Sequence, residues 1–394
     1  MAKKVLIFSV VYGPRFWGGA ELAAHEITKR IAPQDTSFDM ITLRFDSSLP
    51  REETMGNVHV YRIGFATKNP DIKDLSSFPL SLNKYLFPFL GFLKALSLHH
   101  KKRYDAVWAI MANYAGFAAL FFKLLNPRAT FILTLQEGDP ISHIKRRVRF
   151  VAPLFAHIFR KADIVQAISE HLARFGRDMG AREPVRVIPN GVDNSTFKIP
   201  HSTFQTDELR QELGLMENDK IFITVSRLVE KNAVEDSIEA LTFLPQEVKL
   251  LVVGIGPLEK ELRETAERLG VASRVFFLGH IEHNELPRYL SLAHVFVRPS
   301  LSEGLGNSFI EAMAMGIPIV GTPVGGIPDF LKDEETGLFC EVKNPKSIAR
   351  QAARLFADHI LREKMIANAR RLALTRYDWG AIAQTFEEDV FSKI

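Results

Sequence analysis

The sequence predicts an α/β fold of two domains, each a parallel sheet covered by helices on both faces. Three observations predict it. Short β-type runs alternate with longer amphipathic runs along the whole chain, the pattern of helices laid over parallel strands. The alternation restarts at Ile221, after a polar stretch at 194–206 that contains Pro200 and lacks apolar periodicity. Its 394 residues suit two or three domains of about 100–200 residues each.

In the first half, Val5–Val11, Phe38–Leu43, Val58–Ile63, Asp105–Ile110, Ala129–Leu135, Asp163–Ile168 and Val185–Ile188 read as strands. Glu21–Ile31, Ala115–Leu125 and Ser169–Met179 between them carry helical spacing. In the second half the strands are Ile221–Ser226, Val248–Val253, Arg274–Leu278, Val295–Val297 and Ile317–Gly321. Val234–Leu244, Pro257–Leu269, Ser308–Met315 and Ser347–Phe356 are the helices. Two such blocks are two Rossmann-like domains, expected at 1–198 and 199–376. Tyr377–Phe391 places Trp379, Ile382, Phe386 and Val390 at helical spacing and suits packing on either domain. No fixed period recurs, which excludes solenoids and propellers.

Composition narrows the class. Hydrophobic residues at 46% and charged residues at 24% exclude wholesale disorder and collagen-like repeats. One cysteine, Cys340, excludes an internal disulfide framework and Cys-rich zinc modules. The apolar run after Lys3-Lys4 is too short to span a membrane and reads as a strand, so a soluble, cytoplasmic protein is expected. Residues 1–200 hold 28 Lys and Arg against 17 Asp and Glu, and the rest hold 22 against 29. Opposed signs point either to different partners for the two halves or to their mutual docking.

In open α/β sheets ligands bind beyond the carboxyl ends of strands, often at a helix N-terminus. After the first strand, Gly18-Gly19 leads into a helix. Paired glycines let a backbone approach a phosphate or a sugar, and they equally make a plain tight turn. Neither the dinucleotide fingerprint nor a P-loop is present. After Ile221–Ser226, Arg227 and Lys231 stand four apart across a turn. Such a pair suits a diphosphate, the Arg clamping it bidentately and the Lys adding a point charge; a solvated turn paired with Glu230 and Glu235 is the alternative. Further on, Glu303 lies in a glycine loop, and Glu311 lies eight residues later in the first turn of a helix. A capping box, Ser308-x-x-Glu311, would by itself account for Glu311. Glu303 has no such structural reason and reads as a ligand contact.

The stretch EGLGNSFIEAMAMGIPIVGTPVGGIPD, with SRLVEK upstream, FLGHIEHNELPRYLSLAHVFVRPS between them and VIPNGVD before the linker, resembles the retaining glycosyltransferases of family 4. The resemblance covers nearly all of the C-terminal half. In the N-terminal half it rests on Gly18–Glu21, Ile168–Glu170 and Val187–Asp193, which includes Asn190. It implies the GT-B fold, α/β with two Rossmann-like domains facing each other across a cleft, and residues 377–394 returning to the first domain. It further implies that Arg227 and Lys231 bind the diphosphate of a nucleotide-sugar donor. Glu303 would hold donor-sugar hydroxyls, Gly304, Leu305, Gly306, Asn307 and Ser308 would offer backbone N–H groups, and Glu311 would accept from the ribose. Gly279, His280 and Ile281 would lie beside the base and Gly19 under the diphosphate, with Asn190 among the substrate-binding residues.

Two departures stand out. Where many relatives carry a histidine near the reacting carbon, this chain reads Thr134-Leu135-Gln136-Glu137-Gly138-Asp139, which puts Gln136 at that place. No carboxylate nucleophile is placed by the sequence, which favours same-face attack with the leaving phosphate taking the acceptor's proton; Glu137 and Asp139 are the general-base candidates otherwise. Asn232 replaces a glycine common after the lysine.

No H-E-x-x-H or D-x-D occurs, so no metal and no cofactor beyond the substrate are expected. Ser76–Arg103 and Ser142–Ala162 combine aromatic residues and cations without an acid. Both suit an anionic membrane surface, peripheral on its inner face, or a lipid-linked or glycan acceptor; burial of the phenylalanines is the alternative, and nucleic acid is not expected. The function expected is therefore retaining, metal-independent sugar transfer. Its rivals are a sugar-nucleotide epimerase on the same fold and a non-catalytic nucleotide-sugar-binding subunit.

Overall fold

The computed structural model describes residues 2–13, 18–70, 74, 77–197 and 206–394. Part of the polar stretch at 194–206, including Pro200, and Pro14–Trp17 of the first glycine loop lie outside the described residues. The chain forms two compact units, Met1–Asn190 with Trp379–Ile394, and Gly191–Asp378.

The first unit runs β1 (Lys3–Phe8), α1 (Gly19–Thr28), β2 (Thr36–Leu43), β3 (Glu52–Met55), β4 (Val58–Ile63), α2 (Leu82–Lys102), β5 (Ala106–Ile110), α3 (Tyr114–Leu125), β6 (Thr130–Leu135), α4 (Ile141–Arg147), α5 (Ala152–Lys161), β7 (Ile164–Ala167), α6 (Glu170–Asp178) and β8 (Arg186–Val187). Its eight-stranded sheet has the order β3-β4-β2-β1-β5-β6-β7-β8. Every pairing is parallel except β3 on β4. The central strands are buried on both faces, as in β5, where Ala106–Ile110 are all buried, so they read as continuous apolar runs and not as alternation. The terminal helix, Trp379–Asp389, belongs to this unit. Trp379, Ile382, Phe386 and Phe391 enter the core formed by β1, β2, β5 and α1. The Phe386 and Phe391 rings each lie 5.5 Å from that of Trp108.

The second unit comprises α7 (Asn194–Phe197), α8 (Thr206–Glu212), β9 (Lys220–Val225), α9 (Val234–Ala240), β10 (Val248–Val253), α10 (Glu259–Arg268), β11 (Val275–Gly279), α11 (Leu286–Leu290), β12 (Val295–Arg298), α12 (Asn307–Ala314), β13 (Ile319–Gly321), β14 (Leu338–Phe339), α13 (Pro345–Ala357) and α14 (His359–Arg376). Its six strands are all parallel, in the order β11-β10-β9-β12-β13-β14. That is the doubly wound order, with its switch point between β9 and β12.

The boundary falls at Asn190/Gly191 and not after residue 198, for a local reason. The Val192 N–H donates to the Tyr377 carbonyl at 2.6 Å, and the Asn194 amide donates to Asp378 Oδ2 at 2.6 Å. These bonds fasten the start of α7 to the end of α14. The return boundary lies at Asp378/Trp379.

Candidate functional site

The order of the second sheet dictates where its chemistry gathers. Strands diverge in connection at β9 and β12, so the turns that follow them flank one crest. Arg227 and Lys231 follow β9, and Glu303 follows β12. The Leu301 N–H donates to the Lys231 carbonyl at 2.7 Å and joins the two turns. Arg227 is exposed and forms no ion pair among the described residues, while Glu235 pairs with Arg268 at 3.7 Å. The Arg227 turn is seated by glycines. A Cβ at Gly254 would stand 1.9 Å from the Ser226 carbonyl oxygen, and one at Gly256 would stand 2.3 Å from that of Leu228.

Glu303 is buried at 8% exposure. One carboxylate oxygen accepts from the Gly304 N–H at 3.1 Å. The other is paired with Arg298, the last residue of β12. The Arg298 guanidinium also donates to Asn232 Oδ1 and to Ser308 Oγ, both at 3.0 Å, and lies 5.5 Å from the Phe309 ring centroid. Asn232 in turn donates to the Arg227 carbonyl at 2.7 Å, and Ser308 donates to that of Val225 at 3.0 Å. The Glu303 carbonyl accepts from the Gly326 N–H at 3.0 Å, and Gly325 leaves no room there for a side chain. One buried cation thus joins the Arg227 turn, the acidic loop and the start of α12.

The capping-box explanation of Glu311 does not hold. Gly306, at φ +94°, caps α12, and Ser308 lies inside the helix with its hydroxyl on Arg298 and Val225. The buried Glu311 carboxylate meets His283 Nε2 at 2.9 Å, and the Phe197 ring lies tilted at 5.1 Å from the His283 ring. Leu305 is buried, and Asn307 opens α12. Gly279, at φ +68°, ends β11, and its carbonyl accepts from the Gly254 N–H at 2.7 Å. His280 is exposed beside Glu282 at 3.3 Å, and Ile281 is half-buried. Arg298, His283 and the glycine pair at 254 and 256 were not anticipated as site residues, and Asn232 stood only as a departure. Gly254-Ile255-Gly256 directly after a strand was the one local signal for that pair.

In the first unit, Gly18 caps α1 and its N–H donates to Glu21 Oε2 at 3.0 Å, with Gly19 as the first helical residue. Gln136, just beyond β6, accepts from the Asn190 amide at 3.1 Å, which brings those two residues together. Glu137 is buried and accepts from the Ala112 N–H at 2.7 Å. Burial pushes its carboxyl up to about 7, against the opposing pull of the backbone N–H groups of Ala112, Glu137 and Gln136. Asp139 is half-buried beside it. Among the described residues, no group of three His, Cys, Asp or Glu side chains is placed to hold a metal ion.

Two family models match the chain: Glycosyltransferase Family 4 over residues 17–196 and Glycosyl transferases group 1 over 205–372. A GDP-mannose-dependent α-(1-6)-phosphatidylinositol monomannoside mannosyltransferase of Mycobacterium tuberculosis is 31% identical over 68% of this chain and 72% of its own. An uncharacterized glycosyltransferase of Methanocaldococcus jannaschii is 26% identical over 97% of this chain and 96% of its own. Among solved structures, a sucrose-phosphate synthase of Thermosynechococcus elongatus superposes with a TM-score of 0.82 at 22% identity, covering 100% of both chains. The Anabaena protein HepE, solved with UDP and glucose, superposes at 0.78 and 23% identity, covering 99% of this chain and 100% of its own. With two doubly wound α/β units, both family models and the mannosyltransferase relative, this is a glycosyltransferase of the GT-B class, and the chain belongs to family 4 of those enzymes.

Proposed function

We propose that the enzyme transfers a sugar, with retention of configuration and without a metal ion, from a nucleoside diphosphate sugar to an acceptor bound by the first unit. The observation that carries the reading is the crest of the second sheet. There the exposed Arg227, the half-buried Lys231 and the N-terminal turn of α12 adjoin two buried carboxylates, Glu303 and Glu311. Cations and backbone N–H groups suit the diphosphate, and the carboxylates suit sugar and ribose hydroxyls. HepE, solved with UDP-glucose, supports a nucleotide-sugar donor.

In the reaction, the bond from the sugar's anomeric carbon to the diphosphate oxygen breaks as the acceptor oxygen bonds to the same face. The acceptor's proton passes to the leaving diphosphate. Arg227, Lys231 and the N–H groups of Leu305–Ser308 stabilise the charge on that leaving group, the part a divalent cation would otherwise play, while the Gly304 N–H stays on Glu303. A panel of nucleotide sugars, screened by thermal shift and slow hydrolysis and followed by NMR of the transferred anomer, tests this reading. Retained configuration and activity undiminished in EDTA are expected. Inverted product, or loss in EDTA that Mg²⁺ or Mn²⁺ restores, contradicts it.

The acceptor reading rests on one face of the first unit. Tyr85, Phe89 and Leu93 of α2 are exposed, as are Phe150, Val151, Lys145, Arg146, Arg147 and Arg149 around α4. Arg147 is near enough to act electrostatically on both Lys84 and Tyr114, and the Tyr114 ring meets Tyr85 at 5.7 Å, so the two acid-free stretches adjoin. Phe87 is fully buried and does not contribute to the face. No described helix is long and apolar enough to cross a membrane. A peripheral contact with anionic lipid, or a lipid-linked acceptor, fits such a surface, at about 1 kcal/mol per cation. Pelleting with acidic but not neutral liposomes, lost at high salt, is the expected result. Equal, negligible pelleting with both leaves a soluble acceptor.

A further inference from the structure

Arg298 takes no part in the reading above, yet its guanidinium joins three polar side chains at the second unit's crest. It is 8% exposed and bonds Glu303, Asn232 and Ser308. A guanidinium removed from water needs partners for its planar fork of donors, and it holds those partners in fixed positions. Its partner Asn232 is itself buried at 2% exposure and is bonded on both sides, to Arg298 and to the Arg227 carbonyl. A glycine at 232 could make neither side-chain bond.

Resting on the donor reading, we propose that Arg298 is a positioning residue for the donor sugar, with Asn232 as its brace. Arg298 occupies one acceptor position on one Glu303 oxygen, and the Gly304 N–H occupies one on the other. An ionised carboxylate has about four such positions, so one on each oxygen is left for sugar hydroxyls. The guanidinium fixes the rotation of the carboxylate and hence which pair of hydroxyls it accepts. Asn232 and Ser308 keep the guanidinium from following Glu303 when sugar binds. The same contacts tie the sugar-reading acid to the Arg227 turn.

The test compares wild type, Arg298→Lys, Asn232→Gly and the double variant. UDP and GDP, each with its glucose or mannose sugar, are the probes, and Tm serves as a check on folding. Arg298→Lys should lower nucleotide-sugar turnover at least tenfold while the Kd of the free diphosphate stays within threefold of wild type. Asn232→Gly should lower turnover in the same direction. The double variant should fall no more than threefold below Arg298→Lys, because the brace reaches the Glu303 carboxylate through the arginine. Unchanged turnover in folded Arg298→Lys overturns the inference. So do multiplicative losses in the double variant, or an equal loss of diphosphate affinity. If Arg298→Lys does not fold, Asn232→Gly decides by the same split between turnover and diphosphate affinity. Wild type that binds neither nucleotide nor nucleotide sugar overturns the donor reading and this inference together.

Discussion

Glu303 carries the sharpest test at the scale of single residues. Glu303→Gln keeps the shape and gives up a charge-assisted hydrogen bond to a sugar hydroxyl, a loss of about 1.5–3 kcal/mol. Turnover should fall by about ten- to a hundredfold, and Tm should fall as well because the buried Arg298 loses its counter-charge; near-wild-type turnover in a folded variant removes Glu303 from the site. Two groups set opposite pH dependences, the buried Glu137 and the half-buried His294. Glu137 is raised from 4.5 to about 7, so the folded chain keeps a proton that the unfolded chain releases earlier. Its contribution to stability is complete below pH 4.5 and is lost as pH rises through 7, on the order of 3 kcal/mol. Glu137→Gln should flatten that fall in a series of denaturant titrations, and an unchanged slope contradicts the assignment. His294 is lowered from 6.5 to about 4 by burial and by Lys220, Arg210 and Arg362, and its Nδ1 accepts from the Ile221 N–H at 3.1 Å. Its contribution is present above pH 6.5 and is lost as pH falls through 4. The residue types at the site were legible in the sequence, but their partners were not. Arg298 meets Glu303 only through the turn after β12, and His283 reaches Glu311 from a loop 28 residues away.

Legibility among the elements followed burial. Strands such as Ile221–Ser226 and Val248–Val253 announced themselves because both their faces are covered. The helix α2 did not, since its apolar residues lie on the buried and the exposed sides alike and Pro88 sits inside it. In α14 the buried residues are Met365, Ala369 and Ala373, a stripe too narrow to stand out among charged neighbours. The two-residue β14 is too short to show a period. Gly254, following β10, tests how the Arg227 turn is held. At φ +130°, with a Cβ 1.9 Å from the Ser226 carbonyl oxygen, Gly254→Ala should cost at least about 2 kcal/mol and weaken diphosphate affinity. Chemical denaturation and titration check the two effects. A variant as stable and as tight as wild type means that the turn is not held by this contact.

Across the whole molecule, the chain closes on its own beginning. The terminal helix and the turn after it return Phe386 and Phe391 to Trp108 and Phe38 of the first sheet, and Lys3 donates to the Phe391 carbonyl at 2.6 Å. Phe386→Ala should therefore cost about 3–5 kcal/mol in the first unit, with the second unit's His294-linked acid sensitivity unchanged; hydrogen exchange resolved by segment separates the two units. Calorimetric titration of UDP and GDP into wild type and the Arg227→Ala/Lys231→Ala double variant tests whether the turn after β9 holds the donor's diphosphate. Micromolar-range binding of at least one nucleotide to wild type, weakened at least tenfold in a folded double variant, is the predicted result. Equal affinity in the two proteins would contradict it.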